Sequence, residues 1–202
     1  MPSQPALSPI TFRSATQEDC AHLVFFADMA TRRLTSFLWS QMAAPGQSAF
    51  EVGRNVIRNA EGHFTHFANW RVAGHQGQVV GALDGYVIPE PSNSALPAPD
   101  VVAPLNELKN MTAGTWYISA AAIYPEHQGK GFGSMLLAEA ESIARSAGNN
   151  RLTLMVGSFN PGACRLYQRC GFAESARRPF LVFPGSDEGE WILMVKDVSL
   201  KF

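Results

Sequence analysis

The sequence predicts an α/β fold: a mixed, mostly antiparallel central sheet that carries one parallel strand pair and is flanked by helices. Three observations predict it. From Thr115 onward the pattern runs strand, helix, strand, helix, which implies a parallel pair joined by a right-handed crossover. Upstream, the runs His63 to Ala73 and Gln78 to Ile88 read as strands joined by the turn Gly74-His75-Gln76-Gly77, an antiparallel hairpin. The chain has 202 residues, enough for one good-sized domain and hardly for two.

Taken in order, residues 1–9 are polar, rich in Pro and Ser, and read as a loose tail ahead of a single domain spanning 10–202. Ile10 to Ala15 is the first strand, and Thr16 with Asp19 opens a helix through Met29 or beyond. A second helix is expected from Ser48 to Ala60, ending at Gly62. After the hairpin, Pro89 to Pro104 contains five prolines and reads as a long loop, leading into a short helix around Leu105 to Asn110. Thr115 to Tyr124 is the next strand. Ser134 to Ala147 keeps Leu136, Ala140, Ile143, Ala144 and Ala147 on one apolar face, and Gly148 sits where a left-handed helix cap belongs. Arg151 to Val156 is a short apolar strand. Asn160-Pro161 then starts a helix that stops at Gly171, because Asn is a good N-cap and Pro is favoured at the first helical position. Phe172 to Ala176 and Trp191 to Val195 read as the closing strands.

Composition narrows the function. With 46% hydrophobic and 16% charged residues the chain is an ordinary globular protein, not a disordered one. A net charge of −1 argues against a general nucleic-acid binder, which needs a basic surface. No window approaches the roughly 20 apolar residues of a membrane span, and the start shows no secretory signal. Cys20, Cys164 and Cys170 form no CxxC pair, so reduced thiols in a cytoplasmic protein are expected.

The strongest local signal is a strand, Pro125, the turn Gln128-Gly129-Lys130-Gly131-Phe132-Gly133, and then a helix beginning at Ser134. Glycines let an anion approach the amides without meeting a Cβ, and the helix adds unpaired N–H groups and its positive dipole end. This is a way to hold a pyrophosphate. A P-loop is excluded because Gly129-Lys130 is followed by Gly131, where Ser or Thr is required. The GxGxxG fingerprint fails as well, at Ser134 in one frame and Leu136 in the other.

A second constellation follows: Asn160-Pro161-Gly162-Ala163-Cys164-Arg165-Leu166-Tyr167-Gln168-Arg169-Cys170-Gly171-Phe172. Together the two resemble the GNAT superfamily of N-acetyltransferases, with its (Gln/Arg)-x-x-Gly-x-(Gly/Ala) turn and its Asn-x-x-Ala-x-x-Leu-Tyr-x-x-x-Gly-Phe helix. Ile118 to Pro125 is similar to the strand before that turn. The match is strong from Thr115 to Phe172 and general elsewhere. The resemblance implies direct acetyl transfer from acetyl-coenzyme A to an amine, on a small molecule or a peptide, with no metal. It also implies that the two parallel strands splay apart to admit pantetheine. Backbone contacts would then fall at Ala121, Ala122 and Ile123, the pyrophosphate on Gln128 to Ser134, and a further cofactor contact at Asn160. Tyr167 would protonate the departing thiolate. Dimers are common in the family. A regulatory module that binds coenzyme A without catalysis is the alternative.

A general base is not supplied by the motif. Thr115 to Tyr124 contains no acid, where some relatives carry a Glu. Asp84, on the strand Gln78 to Ile88, and Glu107, just before the cofactor strand, are the candidates, with water-mediated proton loss beside them. His63 and His66, three apart on an expected strand, face opposite ways and make a poor metal pair. Arg32 and Trp39 lie where the family builds its acceptor pocket.

Overall fold

A computed structural model describes residues 10–90 and 99–199. The tail 1–9, residues 91–98 of the Pro-rich loop and residues 200–202 lie outside the described residues. Among the described residues seven strands form one sheet in the order β1-β2-β3-β4-β5-β7-β6. All neighbours are antiparallel except β4 and β5. The mixed sheet expected from the sequence is the one observed.

β1 (Thr11–Ser14) leads into α1 (Cys20–Ala30). Asp19 ties the two together: its carboxylate takes both Arg13 Nη1 and Nη2 at 2.7 Å and the Thr16 amide at 2.8 Å. The Arg13 guanidinium holds this buried acid down to about 2. A helix absent from the sequence reading follows. Thr31 to Trp39 is not a plain connection, because α2 runs from Leu34 to Met42. Its start carries no N-cap signature of its own. Arg32 and Arg33 turn the chain with φ of 52° and 72°, and the orphan amides are met by earlier residues. Thr35 N–H donates to Thr31 Oγ1 at 3.1 Å, and Ser36 N–H to Asp28 Oδ1 at 3.0 Å. Trp39 is buried between α2 and α3 (Ala49–Asn59), in contact with Gly53. α3 starts on a capping box of Ser48 and Glu51.

The hairpin is shifted from its expected place. β2 is Trp70–His75 and β3 is Gln78–Val87, so the turn is Gln76-Gly77, with φ of 51° and 77°. Two central residues with positive φ match the twist of the flanking strands. Residues 63–69 are not strand. Asn69 Nδ2 donates to the carbonyls of His63 and Phe64, and Trp70 Nε1 to that of Thr65, which folds the segment onto itself. The apolar and β-branched content of that stretch had suggested a strand.

α4 begins at Ala103 rather than Leu105 and ends at Asn110. β4 (Trp116–Ile123), α5 (Phe132–Ser146), β5 (Arg151–Gly157) and α6 (Pro161–Arg169) follow as expected, and β6 (Ala173–Pro179) and β7 (Glu190–Asp197) close the sheet. α5 buries Leu136, Leu137, Ala140 and Ala144 against one face. α1 and α3 cover the other through Leu23, Phe26 and Ile57, and α4 sets Leu108 against Leu193 and Trp191. No helix among the described residues is long and apolar enough to cross a membrane.

The feature that positions the site is a fault in the ladder. β3 pairs Gly85 with Ile118 and Asp84 with Ala120, so Ser119 bulges out of register. β4 pairs with β5 only at Trp116, Tyr117 and Ile118. Beyond this, β5 stays with β7 through Gly157 while β4 stays with β3 through Ile123. The parallel strands therefore part at the bulge.

The α2–α3 contact is testable. A Cβ on Gly53 stands 2.3 Å from the buried Trp39 indole. Alanine in a helix gains about 1 kcal/mol over glycine, but overpacking costs about 1–3 kcal/mol. Gly53→Ala is expected to lower stability by about 1 kcal/mol or more in urea unfolding.

Candidate active site

The gap between β4 and β5 opens into a cavity of about 1010 Å³. One end is the turn before α5. Gly129 and Gly131 have φ of 74° and 82°, and a Cβ built on either meets nothing within 4 Å. The turn thus presents bare backbone to open space. Ser134 and Met135 N–H both donate to the Gly131 carbonyl, at 3.1 and 3.3 Å. The amides of Gly129 to Gly133 have no acceptor among the described residues, and the 15-residue α5 adds the positive end of its dipole. Gln128 works mainly as a brace, its Nε2 donating to the Ile123 carbonyl at 2.9 Å. Phe132 turns its ring into the core, 5.0 Å from His75.

The wall along β4 is formed by Ala121, Ala122 and Ile123, past the last ladder contact with β5. Across from it stands α6. Asn160 caps this helix by accepting from Ala163 N–H at 3.2 Å and also lines the cleft. Tyr167 packs edge-on against Phe172, and its hydroxyl finds no hydrogen-bond partner among the described residues. Burial pushes that hydroxyl up to about 12, with the neighbouring Cys164 and Cys170 adding to the rise. The ring is only half-buried by exposed surface, so water in the cleft moderates the effect.

Of the residues expected to hold the cofactor, Lys130 alone does not line this cavity; it is exposed, 3.4 Å from His127 Nδ1. The two expected bases are not brought to it either. Glu107 lies on α4 and is exposed, paired with Arg178 at 2.6 Å. Asp84 is fully buried in β3, away from the cavity wall. Neither of its oxygens completes a hydrogen bond among the described residues. Burial raises it to about 8; Ser119, the Gly85 amide and Lys109 pull only partly the other way. Lys109 is lowered by its own burial. Its ammonium donates to Tyr86 Oη at 3.1 Å and faces the rings of Tyr117, Phe64 and Tyr86 at 5.2, 5.3 and 5.8 Å.

The far end of the cavity is built by the α1–α2 corner and the β6–β7 loop. Asp28, Arg32 and Arg33 come from the corner, Gly185 and Asp187 from the loop. Arg32 Nη2 and Nε bind Asp187 at 2.8 and 3.2 Å. Of the two residues expected at the acceptor pocket, Arg32 lines the cleft, while Trp39 goes to the core. Asp28, Arg33 and Asp187 carry no motif in the sequence. They meet only because a corner and a loop more than 150 residues apart converge.

A glycine turn with amides that lack acceptors, a parted parallel pair and the Tyr167 phenol thus share one cavity. The acetyltransferase (GNAT) family model matches residues 31–172, and the chain belongs to that family. An uncharacterized N-acetyltransferase of Bacillus subtilis, YdgE, is 27% identical over 148 residues, covering 72% of this chain and 79% of that one. The L-amino acid N-acyltransferase MnaT of Escherichia coli is 33% identical over 70 residues, only 35% of this chain and 39% of its own. The yncA structure from Salmonella typhimurium, solved with its cofactor acetyl-CoA, shares the fold at a TM-score of 0.58 and 19% identity, covering 96% of this chain and 97% of that one.

Asp84 gives the protein a measurable pH signature. Its native pKa of about 8 exceeds the unfolded value of about 3.9. From about pH 4 to 8 the folded chain holds a proton that the unfolded chain has lost, so this group makes stability fall as pH rises. Asp84→Asn is expected to shrink the stability difference between pH 5 and pH 8, in urea unfolding, by about 1 kcal/mol or more.

Proposed function

We propose that the protein transfers the acetyl group of acetyl-coenzyme A to the nitrogen of a small-molecule amine. One observation carries this reading: a single cleft runs from the unpaired amides of Gly129 to Gly133 to the free hydroxyl of Tyr167. Family membership and the acetyl-CoA held by yncA support the donor. The acceptor named for MnaT supports a small amine. The turn fits a pyrophosphate because its amides lack partners and its glycines leave the approach open. The exposed β4 backbone at Ala121 suits a thin amide-bearing arm.

When bound, acetyl-coenzyme A supplies an activated acetyl: the N–C bond forms, the C–S bond breaks, the amine loses a proton and the thiol gains one. Tyr167 is assigned to the thiol side, its hydroxyl donating to the sulfur as negative charge develops. Asp28 is assigned to the amine side. Of the two carboxylates on the cavity wall, Asp187 is spent on Arg32, while Asp28 has no ion pair among the described residues. Asp84 and Glu107 do not line the cleft.

Acetyl-CoA at about 100 times its Kd should add roughly 2.7 kcal/mol of stability; a thermal melt moved by ATP or NAD but not by acetyl-CoA would refute the reading. Gly131→Ala places a methyl in the cradle with no protein atom within 4 Å, at a φ of 82° that itself costs alanine about 1–2 kcal/mol, and is expected to weaken acetyl-CoA binding about 10-fold or more by titration in protein that a thermal melt shows to be folded. Tyr167→Phe is expected to lower kcat about 100-fold with little change in that affinity. With the Tyr167 hydroxyl near 12, kcat/KM should show no alkaline fall below about pH 10.

A further inference from the structure

The cleft's far end has one guanidinium to spare. Arg32 is already neutralised and anchored by Asp187. Arg33 has no carboxylate partner among the described residues; its closest hydrogen bond is Nη1 to the Gly185 carbonyl at 3.5 Å. That contact is long, and it leaves most of the guanidinium's five N–H donors open. The first amides of α2 are satisfied by Thr31 and Asp28, so the corner's attraction for an anion lies in this side chain and not in the helix end.

The backbone holds Arg33 there at a cost. Two successive residues with side chains sit in the left-handed region, at φ of 52° and 72°, each disfavoured by about 1–2 kcal/mol. Such strain persists when the surroundings enforce it. Here Asp28 grips Ser36 N–H, Thr31 grips Thr35 N–H, and Asp187 grips Arg32. Asp28 also lines this cavity and uses only Oδ1 in a hydrogen bond among the described residues.

Resting on the acetyltransferase reading, we propose that the acceptor is an amine that carries an acid group, and that Arg33 binds this acid. A free α-amino acid has that chemistry: its carboxylate takes the Arg33 fork, and its ammonium is drawn toward Asp28. A polyamine offers nothing to Arg33 and is repelled by it.

The test is steady-state thiol release with acetyl-CoA and L-amino acids, each compared with its methyl ester and its decarboxylated amine. The free acids should exceed their esters and amines by about 10-fold or more in kcat/KM, through KM. Loss of a charge-assisted hydrogen bond costs about 10- to 100-fold, so Arg33→Gln should erase that preference and Arg33→Lys should restore part of it. Arg33→Gly removes the side chain while suiting the left-handed backbone, so its loss of preference at an unchanged or raised melting temperature separates recognition from folding. Equal or better turnover of esters and amines by the wild type, or an equal fall on acid and ester in Arg33→Gln, overturns the carboxylate assignment and leaves the acetyltransferase reading standing. Failure of acetyl-CoA to bind overturns both.

Discussion

The site depends on one missing rung. A parallel pair held along its full length would bury the β4 backbone in hydrogen bonds, and no cleft would form. Ser119 prevents this by standing unmatched between Ile118 and Ala120, and the β4–β5 ladder stops at Ile118. Two strong competitors then pull the strands apart. β3 retains β4 as far as Ile123, and β7 retains β5 as far as Gly157. Because each strand keeps its other neighbour, opening the gap costs only the few bonds lost between them. The sheet stays intact while Ala121 to Ile123 line the cleft beyond the last rung to β5. Burial of unpaired amides would be expensive; lining a wet cleft with them is not. The turn at Gly129 to Gly133 thus supplies polarity from main chain alone, so the pyrophosphate site proposed above needs no excess of basic residues in a chain of net charge −1.

That reliance on main chain explains what was legible. The donor half uses consecutive residues whose types are dictated by backbone geometry, glycines in the turn and Asn160-Pro161 at the start of α6. Such requirements leave a local pattern, and the glycines and Asn160 line one cavity. The helix–strand alternation from Thr115 onward was readable for the same reason. The acceptor half uses side chains from remote segments. Asp28 ends a helix of ordinary composition, Arg33 begins another without a capping signature, and Asp187 sits in a loop. α2 went unseen because its caps, Thr31 and Asp28, lie inside what reads as the preceding helix. Residues 63–69 misled in the opposite direction. His63, Phe64 and Thr65 have strand-like side chains, but Asn69 captures their carbonyls before any ladder does. The bulge at Ser119 is equally silent, since only the register of two strands reveals it.

Burial shapes the chemistry on both sides of the cleft, and it argues for positioning over strong acids or bases. A phenol near 12 facing a thiol whose pKa is about 8.5 would give up its proton uphill by roughly 3–4 units, about 5 kcal/mol. Tyr167 is therefore better suited to stabilising a departing thiolate by a hydrogen bond, with water completing the proton transfer. Its lack of a protein partner matters here, because a hydroxyl already donating elsewhere would have to break that bond first. Asp84 shows the same physics turned inward. Burial makes it a stronger base than an exposed carboxylate, yet it also removes the acid from the cleft and leaves it largely protonated at neutral pH. The amine side of the proposed reaction therefore rests on Asp28, which lines the cavity where Asp84 does not. On the proposed reading the rate enhancement comes mainly from holding amine and acyl carbon together, and the strained, cross-braced corner at Arg32 and Arg33 is the rigid element assigned to that task.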